Sequence, residues 1–254
     1  MSYSDFQTWK ETEHSHFDLS IVIPAYNEAE RILPTLGAMA VNVSGMGLKW
    51  ELILSDDGSK DQTADLVEGL GWKNLRVLRH PNTGKGGAVS RGVKAARGDM
   101  VLFADADNST PIEELPRLIQ KIKDGYDVAI GSRAADGAQV ENKSALRSMV
   151  SSGLRMLVGA LSGVRFKDTQ CGFKLFSKKS AQVLFGEQKM QGFSFDLEIL
   201  YLAVKYHFKV AEVPVQWFDA PGSKVDPLKD SIKFMKDILT IRKLDQQGQY
   251  KKEI

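Results

Sequence analysis

Only one cysteine, Cys171, occurs in the 254 residues. That excludes an intramolecular disulfide framework and any zinc site built from a cysteine cluster, and it fits a reducing compartment. Charge of either sign is not in excess. The 34 Lys and Arg face 32 Asp and Glu, a formal net charge of +2, without the basic surplus of a dedicated nucleic-acid binder. Long apolar runs are missing as well. The longest clean one, Met100-Val-Leu-Phe-Ala104, has strand length, against the ~20 residues a spanning helix needs. Residues 1–18 are polar and mixed in charge, with none of the apolar stretch of a secretory signal. These absences predict a cytoplasmic protein that does not cross a bilayer by itself and is free to lie on its cytoplasmic face. Proline is scarce at 8 residues and hydrophobic content is 43%, which excludes collagen-like, low-complexity and disordered chains.

What is present is alternation. Leu19–Ile23, stopped by Pro24, reads as a buried strand, and Glu28–Met39 carries helical spacing. Trp50–Ser55, Leu75–Arg79, Asp99–Ala104 and Asp127–Ile130 read as further strands. Gly87–Ala96 and Pro111–Lys123 read as helices, and Ser59 and Asp61 occupy helix N-cap positions ahead of Ala64. Such alternation predicts an α/β fold, a mostly parallel sheet sandwiched by helices. The organisation expected is a polar segment over residues 1–18, one domain over 19–243 and a polar tail over 244–254. Ligands on such sheets bind beyond the carboxyl ends of the strands, and the polar clusters fall there.

Asp105-Ala-Asp107 follows the apolar strand at once. Residues i and i+2 of an extended segment point the same way, so two carboxylates converge. Left unpaired they repel. A hard cation, Mg²⁺ or Mn²⁺, removes that penalty, and Mg²⁺ completes its shell with water and substrate phosphate. A solvated turn capping the helix at Pro111 would use the same residues. Asp56-Asp57-Gly58-Ser59 ends the second strand either as a capped turn or as a carboxylate facing a nucleobase N–H. Asn82-Thr-Gly-Lys-Gly-Gly87 is not a Walker A loop, since its glycine spacing differs and no Ser/Thr follows the lysine. It opens a helix, where backbone N–H groups favour anions, and Lys85 is placed to reach a nucleotide. A tight turn with an exposed lysine fits the spacing equally.

Four motifs run in order: Ile21-Val-Ile-Pro-Ala-Tyr-Asn-Glu28, Asp56-Asp-Gly-Ser-Lys-Asp61, Asn82-Thr-Gly-Lys-Gly-Gly-Ala88 and Asp105-Ala-Asp107. Together they resemble the inverting family 2 glycosyltransferases of the Rossmann-like GT-A fold. Gly131-Ser-Arg133, Asp168-Thr-Gln-Cys-Gly-Phe-Lys-Leu-Phe176, Phe193-Ser-Phe-Asp-Leu-Glu198, Glu212-Val-Pro-Val215 and Gly222-Ser-Lys224 extend the likeness. They resemble the polyprenyl-phosphate hexose synthases, most of all the dolichyl-phosphate β-glucosyltransferase branch. The likeness covers about residues 19–243. It implies that Pro24, Ala25, Tyr26, Glu28 and Asp57 hold the nucleoside of a sugar nucleotide, Asp57 facing the base, with Lys85 and Ala106 lining the same pocket. It implies Asp105 and Asp107 as ligands of Mg²⁺ or Mn²⁺, with Ser109 standing where relatives often carry Gln. Arg133 and Lys224 would bind the donor diphosphate or the acceptor phosphate. Asp168, Asp196 and Glu198 would contact sugar hydroxyls or orient the basic residues, although Asp196 and Glu198 equally suit the start of a helix over Leu197–Lys205.

The implied reaction is transfer of a hexose, glucose from UDP-glucose being favoured over mannose from GDP-mannose, to a polyprenyl or dolichyl phosphate. A phosphate monoester is already anionic near neutral pH, so such an acceptor needs no general base. A soluble sugar, glycan or metabolite acceptor would need one, with Asp168 or Asp196 in that role. A nucleotide-sugar-binding subunit without turnover, and a nucleotidyltransferase, are the remaining readings. The intact Asp105/Asp107 pair speaks against the former. The absence of a Gly-rich basic loop after the first strand speaks against the latter. Leu228, Ile232, Met235, Ile238 and Leu239, with Lys229, Lys233, Lys236, Arg242 and Lys243 around them, form a basic amphipathic helix over Asp226–Lys243. Ala145–Leu161 is a second apolar helix. Each suits either an anionic membrane surface or the sheet.

Overall fold

The structure is a computed structural model that describes residues 14–141, 164–218 and 227–251. The expected helix at Ala145–Leu161 and the expected cation Lys224 lie outside the described residues. The first strands are β1 (Leu19–Ala25), β2 (Trp50–Asp56), β3 (Leu75–Arg79), β4 (Met100–Ala104) and β5 (Val128–Ser132). They alternate with α1 (Ile32–Ser44), α2 (Thr63–Glu68), α3 (Lys85–Ala95) and α4 (Leu115–Lys123). Then come β6 (Gln139–Glu141), β7 (Phe173–Ser177), α5 (Lys178–Glu187), α6 (Phe195–Lys205), β8 (Val210–Pro214), β9 (Gln216–Phe218) and α7 (Pro227–Gln246).

Seven strands form one sheet in the order β3-β2-β1-β4-β7-β5-β8, and β6 pairs with β9 in a small second one. All pairs of the main sheet are parallel except those of β7, which runs antiparallel between β4 and β5. The expected GT-A fold is therefore present, with β7 and β8 in the main sheet and the small β6–β9 pair added to the five strands expected. Side chains alternate across the sheet. Leu19, Ile21 and Ile23 enter one core with α1, while Val22 and Ile53 enter the other with α3 and α6. A fully buried side chain of this size contributes about 1.5–3 kcal/mol, so both faces of the central strands are apolar.

Three local expectations shift. β1 runs through Pro24 to Ala25, because pairing with β4 ends at Val22 and the proline ring falls past the last rung on that side. α1 starts at Ile32 rather than Glu28, because Arg31, at φ −125°, stands outside helical geometry as its N-cap. The N-cap of α2 is Gln62; Ser59 binds the neighbouring loop instead, while Asp61 accepts both from that loop and from the amide of Thr63, the first residue of α2, at 3.0 Å. At the chain's far end α7 docks through buried Ile238 and Ile241, leaving Leu239 exposed. The expected polar tail packs too: Tyr250 is buried and its hydroxyl donates to Glu198 at 2.6 Å, which an aromatic with a polar tip allows.

Opposite the strand ends that carry the motifs, Glu51 ties the amino ends together. It accepts from the Ser20 hydroxyl (2.6 Å), the Arg97 amide (2.7 Å), Arg97 Nε (3.0 Å) and Arg76 Nη2 (2.9 Å). Burial would raise this carboxyl; the hydrogen bonds and the two guanidiniums outweigh it and hold it below the ordinary value. A depressed folded pKa stabilises above the unfolded pKa and loses that contribution as pH falls through the folded one. Glu51→Gln should therefore cost about 1–3 kcal/mol at pH 7. The gap to wild type should close in acid, as urea melts at the two pH values would read.

Candidate active site

The parallel run β2-β1-β4 brings three motif-bearing strand ends side by side. Ala25 stands opposite Asp56, and the Asp57 amide donates to Ala25 O at 2.8 Å. The loops beyond are fastened to each other. The amides of Asn27, Glu28 and Ala29 donate to Ser59 Oγ (2.9 Å), Thr63 Oγ1 (2.8 Å) and Asp61 Oδ2 (3.1 Å). The Lys60 amide donates back to Asn27 Oδ1 at 2.8 Å. Pro24 and Ala25 are thus backbone of the cleft floor, Tyr26 is 36% exposed at its rim, and Glu28 grips Arg31, whose guanidinium also senses Asp107 and Asp105. Ala106 is buried, and its carbonyl accepts from Thr35 Oγ1 at 2.8 Å.

Asp57 holds the loop that follows β3. Its Oδ1 accepts from the Thr83 amide (2.9 Å) and Arg91 Nη2 (2.8 Å), its Oδ2 from the Gly84 amide (2.8 Å). The Gly87 amide donates to Gln191 O at 3.0 Å. The N–H groups of Thr83, Gly84 and Gly87 are therefore spent within the protein, and the loop is a mount for Lys85. Its glycines are steric. A Cβ on Gly86 would lie 2.6 Å from Phe195 Cβ and 2.8 Å from Gly192 O. Only a bare α-carbon lets α3 approach the 190–192 segment so closely.

Lys85 extends from that mount to Asp105 Oδ1 at 2.7 Å and passes the rings of Phe103 and Phe193 at 5.4 and 5.9 Å. Burial would lower this ammonium. The carboxylates of Asp105 and Asp196, with Asp107 behind them, outweigh burial and raise it. Asp107 Oδ1 accepts the Ser109 amide at 2.9 Å. Oδ2 of both Asp105 and Asp107 takes no hydrogen bond from the described residues. Two carboxylates with open oxygens suit a divalent ion that draws its other ligands from water and phosphate. Among the described residues no cluster of three or more His, Cys, Asp or Glu could enclose such an ion alone.

Arg133, at the end of β5, is held by Asp168 through Nε (2.7 Å), Nη2 (2.9 Å) and its own amide (2.9 Å), and lies 5.5 Å from the Trp217 ring. Burial would raise Asp168, but Arg133 pulls it well below the carboxylate range. Such a fork-to-fork pair is strong and rigid. It leaves Arg133 Nη1 without a partner among the described residues and Asp168 poorly basic. Glu212 completes the frame, accepting from Ser132 Oγ at 2.7 Å and the Asp168 amide at 2.8 Å. Asp196, in the first turn of α6, is buried against Lys174, and Glu198 is buried beneath the 189–190 amides that it accepts from at 2.9 and 2.8 Å. Asp105, Asp107, Lys85 and Asp196 thus share one electrostatic neighbourhood, which Arg133 also joins through Asp105.

The family described as “Glycosyl transferase family 2” matches residues 20–193, the stretch that carries all four strand-end motifs. The chain belongs to glycosyltransferase family 2. The enzyme is 40% identical over 241 residues to the dolichyl-phosphate beta-glucosyltransferase of Dictyostelium discoideum, covering 88% of this chain and 73% of the relative. It is 34% identical over 256 residues to the human protein of the same name, covering 92% and 79%. Among solved structures, Mycobacterium tuberculosis glucosyl-3-phosphoglycerate synthase, in complex with Mn²⁺, uridine diphosphate and glucosyl-3-phosphoglycerate, matches with a TM-score of 0.68. That match is at 19% identity and covers 95% of this chain and 84% of the other; it shows the GT-A fold. No helix among the described residues of the glycosyltransferase is long and apolar enough to cross a membrane.

Residues that the sequence reading passed over complete the site. Arg91 braces Asp57, Arg31 stands near the acidic pair, Trp217 backs Arg133 and Gly172 abuts Asp105. Lys174 carried a readable signal, a lysine inside an otherwise apolar strand, Phe173-Lys-Leu-Phe176. The others show nothing distinctive until the loops are brought together.

Proposed function

We propose that this glycosyltransferase moves glucose from UDP-glucose to a polyprenyl phosphate of the dolichyl type, with inversion at C1. The observation that carries the reading is the pairing of Arg133 with Asp168 within electrostatic reach of Asp105. It supplies a cation for phosphate while leaving Asp168 unsuited to abstract a proton. Such a site favours an acceptor that arrives already ionised, as a phosphate monoester does. The acceptor oxygen attacks C1, the bond from C1 to the diphosphate oxygen breaks, and UDP leaves with the electron pair. Lys85 and Arg133 orient the phosphates and hold positive charge where negative charge develops, at no reorganisation cost during the reaction. Asp105 and Asp107 would hold Mg²⁺ or Mn²⁺, which when bound neutralises the departing diphosphate. Asp57, Glu28 and the fastened loops around Tyr26 would seat the nucleoside, and Lys224 would add a cation.

Names of relatives support the acceptor, and the same-fold synthase captured with Mn²⁺ and UDP-glucose supports donor and metal. A lipid acceptor calls for contact with a membrane, for which we propose peripheral attachment at the cytoplasmic face; exposed Leu239 amid Lys236, Arg242 and Lys243 supports a surface of that kind.

The test is one assay with labelled UDP-glucose, detergent-dispersed polyprenyl phosphate and Mn²⁺ or Mg²⁺. GDP-mannose, 3-phosphoglycerate and a free sugar run in parallel. Labelled glucosyl lipid that disappears with EDTA and returns with metal is expected. Transfer to a water-soluble acceptor with the lipid inert would overturn the acceptor assignment.

A further inference from the structure

We propose that Lys174, buried under the acidic pair, is a positioning residue that sets the carboxylate of Asp105 for cation binding. The inference deepens the proposed function and rests on its reading of Asp105. Lys174 lies in β7, between β4 and β5, and its side chain is 1% exposed. It pairs with Asp196, whose side chain is 4% exposed, and its ammonium donates to Cys171 O at 2.6 Å. It also stands 5.7 Å from the Phe103 ring centre, and Lys85 stands 5.4 Å from the same ring. The turn that Lys174 grips is the one touching Asp105. The Asp105 amide donates to Gly172 O at 3.0 Å. A Cβ on Gly172 would come within 1.9 Å of Asp105 Oδ2 and 2.2 Å of its Cγ. The carboxylate therefore lies flat on the bare α-carbon of residue 172. Any shift of that turn moves the carboxylate with it.

Stability does not account for the pair. A buried ion pair contributes little net stability against apolar side chains of the same volume, because two charges must be desolvated. Leu175 and Phe176 beside it show that apolar residues fit this strand. What the pair uniquely supplies is a fixed carbonyl at Cys171, and through it a fixed Gly172. Groups behind a metal ligand orient it in this way, and losing one weakens metal affinity about 10- to 100-fold.

The measurement is Mn²⁺ binding by electron paramagnetic resonance, with UDP present and no turnover, alongside the melting temperature. Lys174→Met/Asp196→Leu removes both charges together, so no unpaired charge is left buried. Lys174→Met alone is a second background, in which buried Asp196 can take up a proton. The expected result in either folded variant is Mn²⁺ affinity reduced about tenfold or more, with a cooperative melt retained. Wild-type Mn²⁺ affinity in a folded variant overturns the inference. Asp105→Asn is measured beside them. Should that variant bind Mn²⁺ as wild type does, the metal assignment itself falls and takes the inference with it. Loss in Asp105→Asn together with full binding in the Lys174 variants refutes the positioning role alone.

Discussion

Asp107→Ala is expected to abolish transfer, lowering kcat roughly 10³-fold or more while the protein still folds. Folding should survive because the side chain is only half-buried and, among the described residues, accepts one local hydrogen bond, from the Ser109 amide. Chemistry should not, because Asp107 supplies one of the two carboxylates at this strand end proposed to hold the metal. The departing diphosphate would then face Lys85 and Arg133 without the charge that a divalent ion adds. A second reading comes from the same variant. Mn²⁺ should no longer tighten UDP binding in a titration, whereas UDP alone should bind as before. Unchanged turnover in Asp107→Ala would refute the metal site and return the Asp105–Asp107 segment to a solvated turn.

Asp168→Asn should cost about 10- to 100-fold in kcat/KM for the acceptor, the scale at which misplacing a substrate-orienting group is felt. Asn cannot match the guanidinium fork with two anionic oxygens, so Arg133 loses the partner that fixes it through Nε and Nη2. The pH profile separates orientation from base catalysis. Arg133 holds Asp168 far below the carboxylate range, so Asp168 stays ionised throughout any ordinary assay. The acid limb of kcat/KM then belongs to the acceptor phosphate, whose second pKa is about 6. Activity should fall as pH drops through that value, in wild type and variant alike, with the variant lower by a constant factor. A limb that vanishes or moves in Asp168→Asn would show that Asp168 handles a proton and would favour a hydroxyl acceptor.

Part of the site is legible in the sequence alone. Asp105-Ala-Asp107 could be placed at a strand end because an apolar run of strand length stops immediately before it, and period-2 geometry aims both carboxylates together. Asp57 and Lys85 could be marked for the same reason, each following its own strand. Their partners could not. Asp57 binds a loop 26 residues on, and Asp168 binds Arg133 across 35 residues. Asp196 was open to several roles in the sequence; the fold places it against Lys174, from a different element. The glycine-rich segment at residues 84–87 shows the limit best. Its composition fits an anion cradle, and only the approach of Asp57 and Gln191 reveals that the Gly84 and Gly87 N–H groups are already taken.

Strand and helix alternation, the two-sided burial of the central strands and the acidic strand tips follow from residue order, since each depends on neighbours a few positions away. The insertion of β7 against the grain of the sheet, the Lys174–Asp196 pair beneath Asp105, and the locking of Arg133 follow from the packed fold alone. Long-range pairing depends on which surfaces meet once the chain has collapsed, and a buried charge finds its partner only there.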